Sequence, residues 1–151
     1  MTGRSQLWSL RFAAFLLAGC SLVSQPVRGK ADPPRLRTVL TTDKATYAPG
    51  EPITFALRLI NETAEPIRLS FTTAQRFDLV VQDPAGREVW RWSAGRFFAQ
   101  ALGEETLQPS GGDLLFQATL PKGLPPGTYT VHGTIPAQEH PLSASTRITV
   151  R

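Results

Sequence analysis

The chain has 151 residues, with 16 Lys+Arg against 12 Asp+Glu, a formal net charge of +4 and 41% hydrophobic residues. That length fits one domain once an N-terminal segment is set aside, and the composition excludes a disordered, collagen-like or coiled-coil chain. A single Cys excludes a disulfide framework and any Cys-based zinc site, and two His with one Met leave little for transition-metal chemistry, so no metal and no cofactor is expected.

The first residues read as an address. Arg4 and Arg11 supply a positive region, and residues 12–19 form an apolar run too short to cross a hydrocarbon core of about 30 Å as a helix. Leu17-Ala18-Gly19-Cys20 resembles the bacterial lipobox. In that motif the Cys thiol is acylated by diacylglycerol and the chain is cut just before it. The resemblance implies a lipoprotein signal peptide over 1–19, lipidation at Cys20, and export to the bacterial cell envelope with a membrane anchor. Ser21 in place of an acidic residue implies the outer membrane in a cell with two membranes. An ordinary secretory peptide, with Cys20 incidental, is the alternative.

Residues 20–35 are polar, and Pro33-Pro34 favours an extended spacer, so they read as a tether. Loss of residues 1–19 leaves 14 basic and 12 acidic side chains, a net +2. Residues 28–37 hold four basic side chains and one acidic one; from Thr38 onward 10 basic residues face 11 acidic ones. A nucleic-acid face needs clustered cations to displace counterions, and the domain has no such cluster. The basic tether either lies on anionic lipid head groups or is simply a solvated linker.

The domain is expected over 36–151, about 115 residues, enough to bury roughly 65% of the unfolded chain's surface. Val39 and Thr41 open it. Ile53, Phe55, Leu57 and Leu59 alternate with Thr54, Ala56 and Arg58, the pattern of a half-buried strand, between turns at 48–52 and 61–63. Ile67, Leu69 and Phe71 repeat the alternation, as do Phe77, Leu79 and Val81. Asp83-Pro84-Ala85-Gly86 is a turn, and 89–92 is a short aromatic strand. Residues 94–103 have room for one short helical turn. Leu114, Phe116, Ala118 and Leu120 form the next strand; Tyr129, Val131, Gly133 and Ile135 follow the Pro125-Pro126-Gly127 turn; Thr146, Ile148 and Val150 close the series. This is the pattern of an all-β, immunoglobulin-like antiparallel β-sandwich of about seven to nine strands, held by apolar contact alone.

Catalytic groupings are not expected. His132 falls on the strand face opposite Tyr129 and Val131 and reads as an exposed surface histidine without a nearby Ser or Cys in a motif; His140 lies in a loop. Glu104 and Glu105, as neighbours on a strand, face opposite ways. Gly111-Gly112 has no following Lys or Ser and reads as a turn. Asn61-Glu62-Thr63 matches a glycosylation sequon, a motif frequent by chance. The chain is not expected to be an enzyme.

Two stretches carry more. The first is Tyr47-Ala48-Pro49-Gly50-Glu51-Pro52-Ile53-Thr54-Phe55, followed by Leu57, Leu59 and Asn61. The second is Phe71-Thr72-Thr73-Ala74-Gln75-Arg76-Phe77-Asp78-Leu79-Val80-Val81, then Gly86-Arg87-Glu88-Val89-Trp90-Arg91-Trp92-Ser93 and 97–100. Pro109, Gly111 and Gly127-Thr128-Tyr129 fit the same pattern. Over about residues 45–135 the chain resembles the BsuPI family, named for an intracellular proteinase inhibitor acting on a subtilisin-type serine protease. The Trp-x-Trp-Ser segment is the most specific part. The resemblance implies a compact β-domain with a serine protease, or another envelope protein, as partner. The family's named activity is intracellular, whereas this chain reads as exported.

Trp, Tyr and Arg dominate interface energetics, so the partner-binding candidates are Trp90, Arg91, Trp92, Arg96, Phe97 and Phe98. Trp90 and Trp92, at i and i+2, share a strand face and equally suit the core; the Ala94-Gly95 turn is expected to expose Arg96 and Phe97. Two functions are in view: an envelope-anchored inhibitor of a subtilisin-type protease, and a non-inhibitory protein-binding β-sandwich module tethered at the membrane surface.

Overall fold

The computed structural model describes residues 36–139 and 141–151, without the side chain of Pro141. All of these lie in the unit Asp32–Arg151. The expected signal peptide over 1–19, Cys20, the tether over 20–35 and His140 lie outside the described residues.

Among the described residues, ten strands alternate with turns: β1 (Leu36–Thr42), β2 (Thr46–Tyr47), β3 (Ile53–Asn61), β4 (Ile67–Phe71), β5 (Asp78–Gln82), β6 (Glu88–Arg91), β7 (Gly103–Leu107), β8 (Asp113–Leu120), β9 (Gly127–Pro136) and β10 (Pro141–Val150). They form a three-stranded sheet β1-β3-β8, a five-stranded sheet β2-β10-β9-β5-β6 and a β4-β7 pair. Every pairing is antiparallel except the short β2–β10 contact, where Tyr47 lies opposite Val150. The architecture is the expected immunoglobulin-like β-sandwich. Two strands exceed the expectation, β2 and β7, and the region read as a helical turn is a turn at 92–95 followed by extended chain.

The alternation places the core. Ile53, Phe55, Leu57 and Leu59 of β3 are fully buried, and Leu79, Val81, Val131, Ile135 and Ile148 meet them from the five-stranded sheet. Side chains of opposite strand faces alternate at a period of two, so each strand sends every second residue inward. Leu69, Phe71 and Leu107 extend this core beneath β4 and β7.

Among the described residues, one polar residue, Asn61, is buried with them. Asn61 donates through its amide to the carbonyls of Glu65 (2.8 Å) and Leu107 (3.2 Å), and its oxygen accepts from the Thr63 N–H (2.9 Å) and hydroxyl (2.7 Å). Its backbone bonds Gly112 and Gly111. The residue of the sequon therefore joins the end of β3 to the end of β7 and to the 109–112 turn. Its amide is consumed inside the fold, where a buried polar group without partners would be costly.

Candidate functional site

The β6–β7 connection, residues 92–102, leaves the sandwich beside the β4–β5 connection, residues 72–77. What holds it there starts with Asp78, the first residue of β5. One of its carboxylate oxygens accepts from the backbone N–H of Leu79 (2.9 Å) and Ser93 (3.2 Å); the other accepts from Arg91 Nη1 (2.8 Å) and the Ser93 hydroxyl (2.9 Å). Charge-assisted bonds of this length are among the stronger ones in a fold. They secure the point at which the chain leaves β6.

Aromatic rings continue the support. Phe77 stacks on Phe116 of β8 (centroids 5.1 Å apart), Trp92 stacks on Phe77 (4.0 Å), and Phe98 packs tilted against Trp92 (5.8 Å). The guanidinium of Arg96 lies 4.5 Å over the Trp92 ring while its Nε donates to the Trp92 carbonyl at 2.8 Å. The loop thus folds back onto its own first residue. Gly95 makes that reversal with a positive φ of 72°, a conformation that disfavours residues with a Cβ. Downstream, the Ala99 carbonyl accepts from the Ala74 N–H at 2.9 Å. Arg76 lies over Phe71 (4.6 Å), donates to the Thr73 carbonyl (2.8 Å) and pairs with Glu105 (3.1 Å). A Cβ on Gly103 would collide with that guanidinium, so glycine lets the loop re-enter the sheet beneath Arg76.

The six sequence candidates separate on this geometry. Trp90 is half-buried and stacks on Phe55 at 5.6 Å, so it belongs to the core wall. Trp92 is half-buried and is the central ring of the brace. Arg91 is engaged within the fold and 40% exposed at its side chain. Its guanidinium is shared between Asp78 and Glu88 (2.6 Å), and those carboxylates, Glu88 foremost, hold it further above its already high pKa. Arg96 is exposed but bonded to Trp92, and Phe98 is turned inward. Phe97 alone of the six projects without support, fully exposed at 101%; Leu102, which was not among the candidates, is 85% exposed. Asp78, Phe77, Phe116 and Arg76 also escaped the sequence reading as parts of this site. Their signal was the motif itself, in which Phe-Asp precedes Trp-x-Trp-Ser: Phe77 meets Trp92 and Asp78 meets Ser93.

His132 is a correction to the sequence reading. It is half-buried rather than exposed, and it bridges three strands, with Nδ1 2.7 Å from Ser145 Oγ and Nε2 3.1 Å from Gln82 Oε1. A Ser lies beside it after all. Its other partner, Gln82, is an uncharged amide where a Ser-His-Asp triad has a carboxylate. Glu104 and Glu105 do face opposite ways, toward Arg68 and Arg76 respectively.

Comparison with known proteins comes at two levels. The family model BsuPI, described as intracellular proteinase inhibitor, matches residues 40–140. No curated protein matches the sequence. Among solved structures, the chain is similar to the C-terminal domain of wzt (TM-score 0.50, 14% identity, 77% of this chain and 73% of that one). It is also similar to Spo0M, a sporulation control protein from Bacillus subtilis (TM-score 0.49, 19% identity, 77% of this chain and 49% of that one). A third likeness is to the CARDB domain of PF1109 from Pyrococcus furiosus (TM-score 0.46, 10% identity, 78% of this chain and 89% of that one). The chain spans about half the length of Spo0M. At these identities the likenesses concern the fold alone.

Proposed function

This chain belongs to the BsuPI family of intracellular proteinase inhibitors, and we propose that its β-sandwich inhibits a subtilisin-type serine protease by presenting the 92–102 loop to the protease cleft. The observation that carries this reading is the contrast within the loop: Trp92, Arg96 and Phe98 are tied to one another and to the sandwich, while Phe97 between them is fully exposed. A loop that enters a protease cleft loses conformational freedom on binding, and one already held in shape loses less. Small inhibitors often obtain that stiffness from disulfides. Here stacked rings and the Asp78 bonds do the same work.

In this reading the domain over 36–151 is not an enzyme, and its partner is a protease. Residues 1–19 direct export and are removed, Cys20 is acylated, and 20–35 tether the domain at the surface of an envelope membrane, the outer one in a diderm cell. The protease in question is then an exported one, unlike the intracellular target from which the family takes its name. The anchor belongs to the lipobox reading of Leu17-Ala18-Gly19-Cys20. The inhibitory activity belongs to the loop, and each fails without the other failing.

The test is a titration of the purified chain against subtilisin and trypsin, following residual activity and the integrity of the chain together. Stoichiometric loss of protease activity with the chain uncut is the expected result. No loss of activity across the panel leaves the non-inhibitory, membrane-tethered binding module in its place.

A further inference from the structure

We infer that Phe97 is the anchor of this surface, and that its partner is a protease with a deep apolar specificity pocket, one that accepts large aromatic or aliphatic side chains. The inference rests on the inhibitor reading above and narrows it. A single exposed apolar residue is ordinary on a protein surface and by itself means nothing. What distinguishes Phe97 is that both of its neighbours are held. Arg96 is fixed to Trp92 through the ring and the carbonyl, and Phe98 packs tilted against the same indole. The direction in which Phe97 projects is therefore set by the fold, and its ring reaches water with nothing over it.

The same geometry argues against a protease with an acidic pocket. Such a pocket needs a cation from the loop, and Arg96 is the one cation between 92 and 102. Placing it in a pocket would take its guanidinium off the Trp92 ring and break its bond to the Trp92 carbonyl, loosening the brace that presents the loop. Leu102 is exposed too, but it adjoins Gly103 at the start of β7 rather than lying between two pinned residues.

The experiment measures inhibition constants of the purified full chain against chymotrypsin, whose pocket is apolar, trypsin, whose pocket is acidic, and subtilisin. The wild-type chain is expected to inhibit an apolar-pocket protease at least about tenfold more tightly than trypsin. Truncating a buried interface anchor removes much of the binding energy. Phe97→Ala is therefore expected to weaken inhibition about 100-fold, equal to about 2.8 kcal/mol at 1.4 kcal/mol per tenfold. Its melting temperature should stay within about 1 °C, because a fully exposed ring contributes little to the fold. Phe97→Leu should keep inhibition within about tenfold, and Leu115→Ala, on the outer face of β8, within about threefold. An inhibitory chain that tolerates Phe97→Ala, or loses inhibition through Leu102→Ala instead, or prefers trypsin, overturns the anchor and leaves the inhibitor reading standing. A chain that inhibits none of the three proteases overturns both.

Discussion

Replacing Trp92 with Ala removes the ring on which the loop is built, and its consequences can be worked from the structure. The indole stacks on Phe77 at 4.0 Å, carries Phe98 at 5.8 Å and lies under Arg96 at 4.5 Å. Truncating a fully buried aromatic residue costs about 3–5 kcal/mol, and Trp92 is half-buried, so about 2–3 kcal/mol is expected. That figure already contains the ring pairs, each about 0.5–1.5 kcal/mol, and the exposed cation–π contact of about 0.5–1 kcal/mol. For a domain of this size the melting temperature should fall by about 8–15 °C. The brace makes a second claim, that the loss is local. Hydrogen exchange of Trp92→Ala at 25 °C should show residues 93–100 exchanging faster while the amides of β3 and β9 keep their protection, because local openings are cheaper than global unfolding. Trp92→Phe should restore part of both effects. A Trp92→Ala variant that melts lower but exchanges at 93–100 as the wild type does would refute the idea that this ring holds the loop.

Three further outcomes are expected. Asn61→Ala should destabilise the domain by about 2–4 kcal/mol, read from denaturant unfolding, because it takes the amide donor from the buried Leu107 carbonyl and from the Glu65 carbonyl and leaves the Thr63 N–H without its acceptor; a change below about 0.5 kcal/mol would contradict the bridging role. Asp43 concerns pH. Burial raises its pKa, but the hydrogen bonds from the Tyr47 hydroxyl and the Thr54 N–H outweigh it and hold the carboxyl below its ordinary 3.8. The lowered folded-state pKa means stability present above the ordinary value and lost as pH falls through and below it, so acid should narrow the gap in melting temperature between wild type and Asp43→Asn. A gap independent of pH between about 5 and 2.5 would remove Asp43 from that account. Cys20→Ala should move the chain from the membrane to the soluble fraction on fractionation, and persistence with membranes would end the lipoprotein reading.

Most strands were legible because a half-buried strand writes its burial into every second residue, as Ile53-Thr54-Phe55-Ala56-Leu57 does. β7 was not, because Gly103-Glu104-Glu105-Thr106-Leu107 sends one large apolar side chain inward, and its strand character comes from pairing with β4. β2 is two residues long and owes its pairing to β10, a hundred positions away in sequence. At the site, the i and i+2 spacing of Trp90 and Trp92 already pointed to one sheet face, and both pack there. The engagement of Arg91 was hidden, because it depends on Asp78 lying across the ladder. The exposure of Phe97 followed from the Ala94-Gly95 turn, but the inward turn of its neighbour Phe98 did not. That inward turn falls to the Trp92 ring, which accepts Phe98 and leaves Phe97 outside.

The central claim is that the 92–102 loop is the face a protease meets. The most direct measurement is hydrogen exchange of the chain alone and with an equimolar subtilisin-type protease, in two forms, one active and one with its cleft blocked by a small covalent inhibitor. The account predicts new protection over 93–100 with the active protease and none with the blocked one, the outer face of β1, β3 and β8 being unchanged in both. Protection on that outer face, or equal protection by the blocked protease, would contradict it.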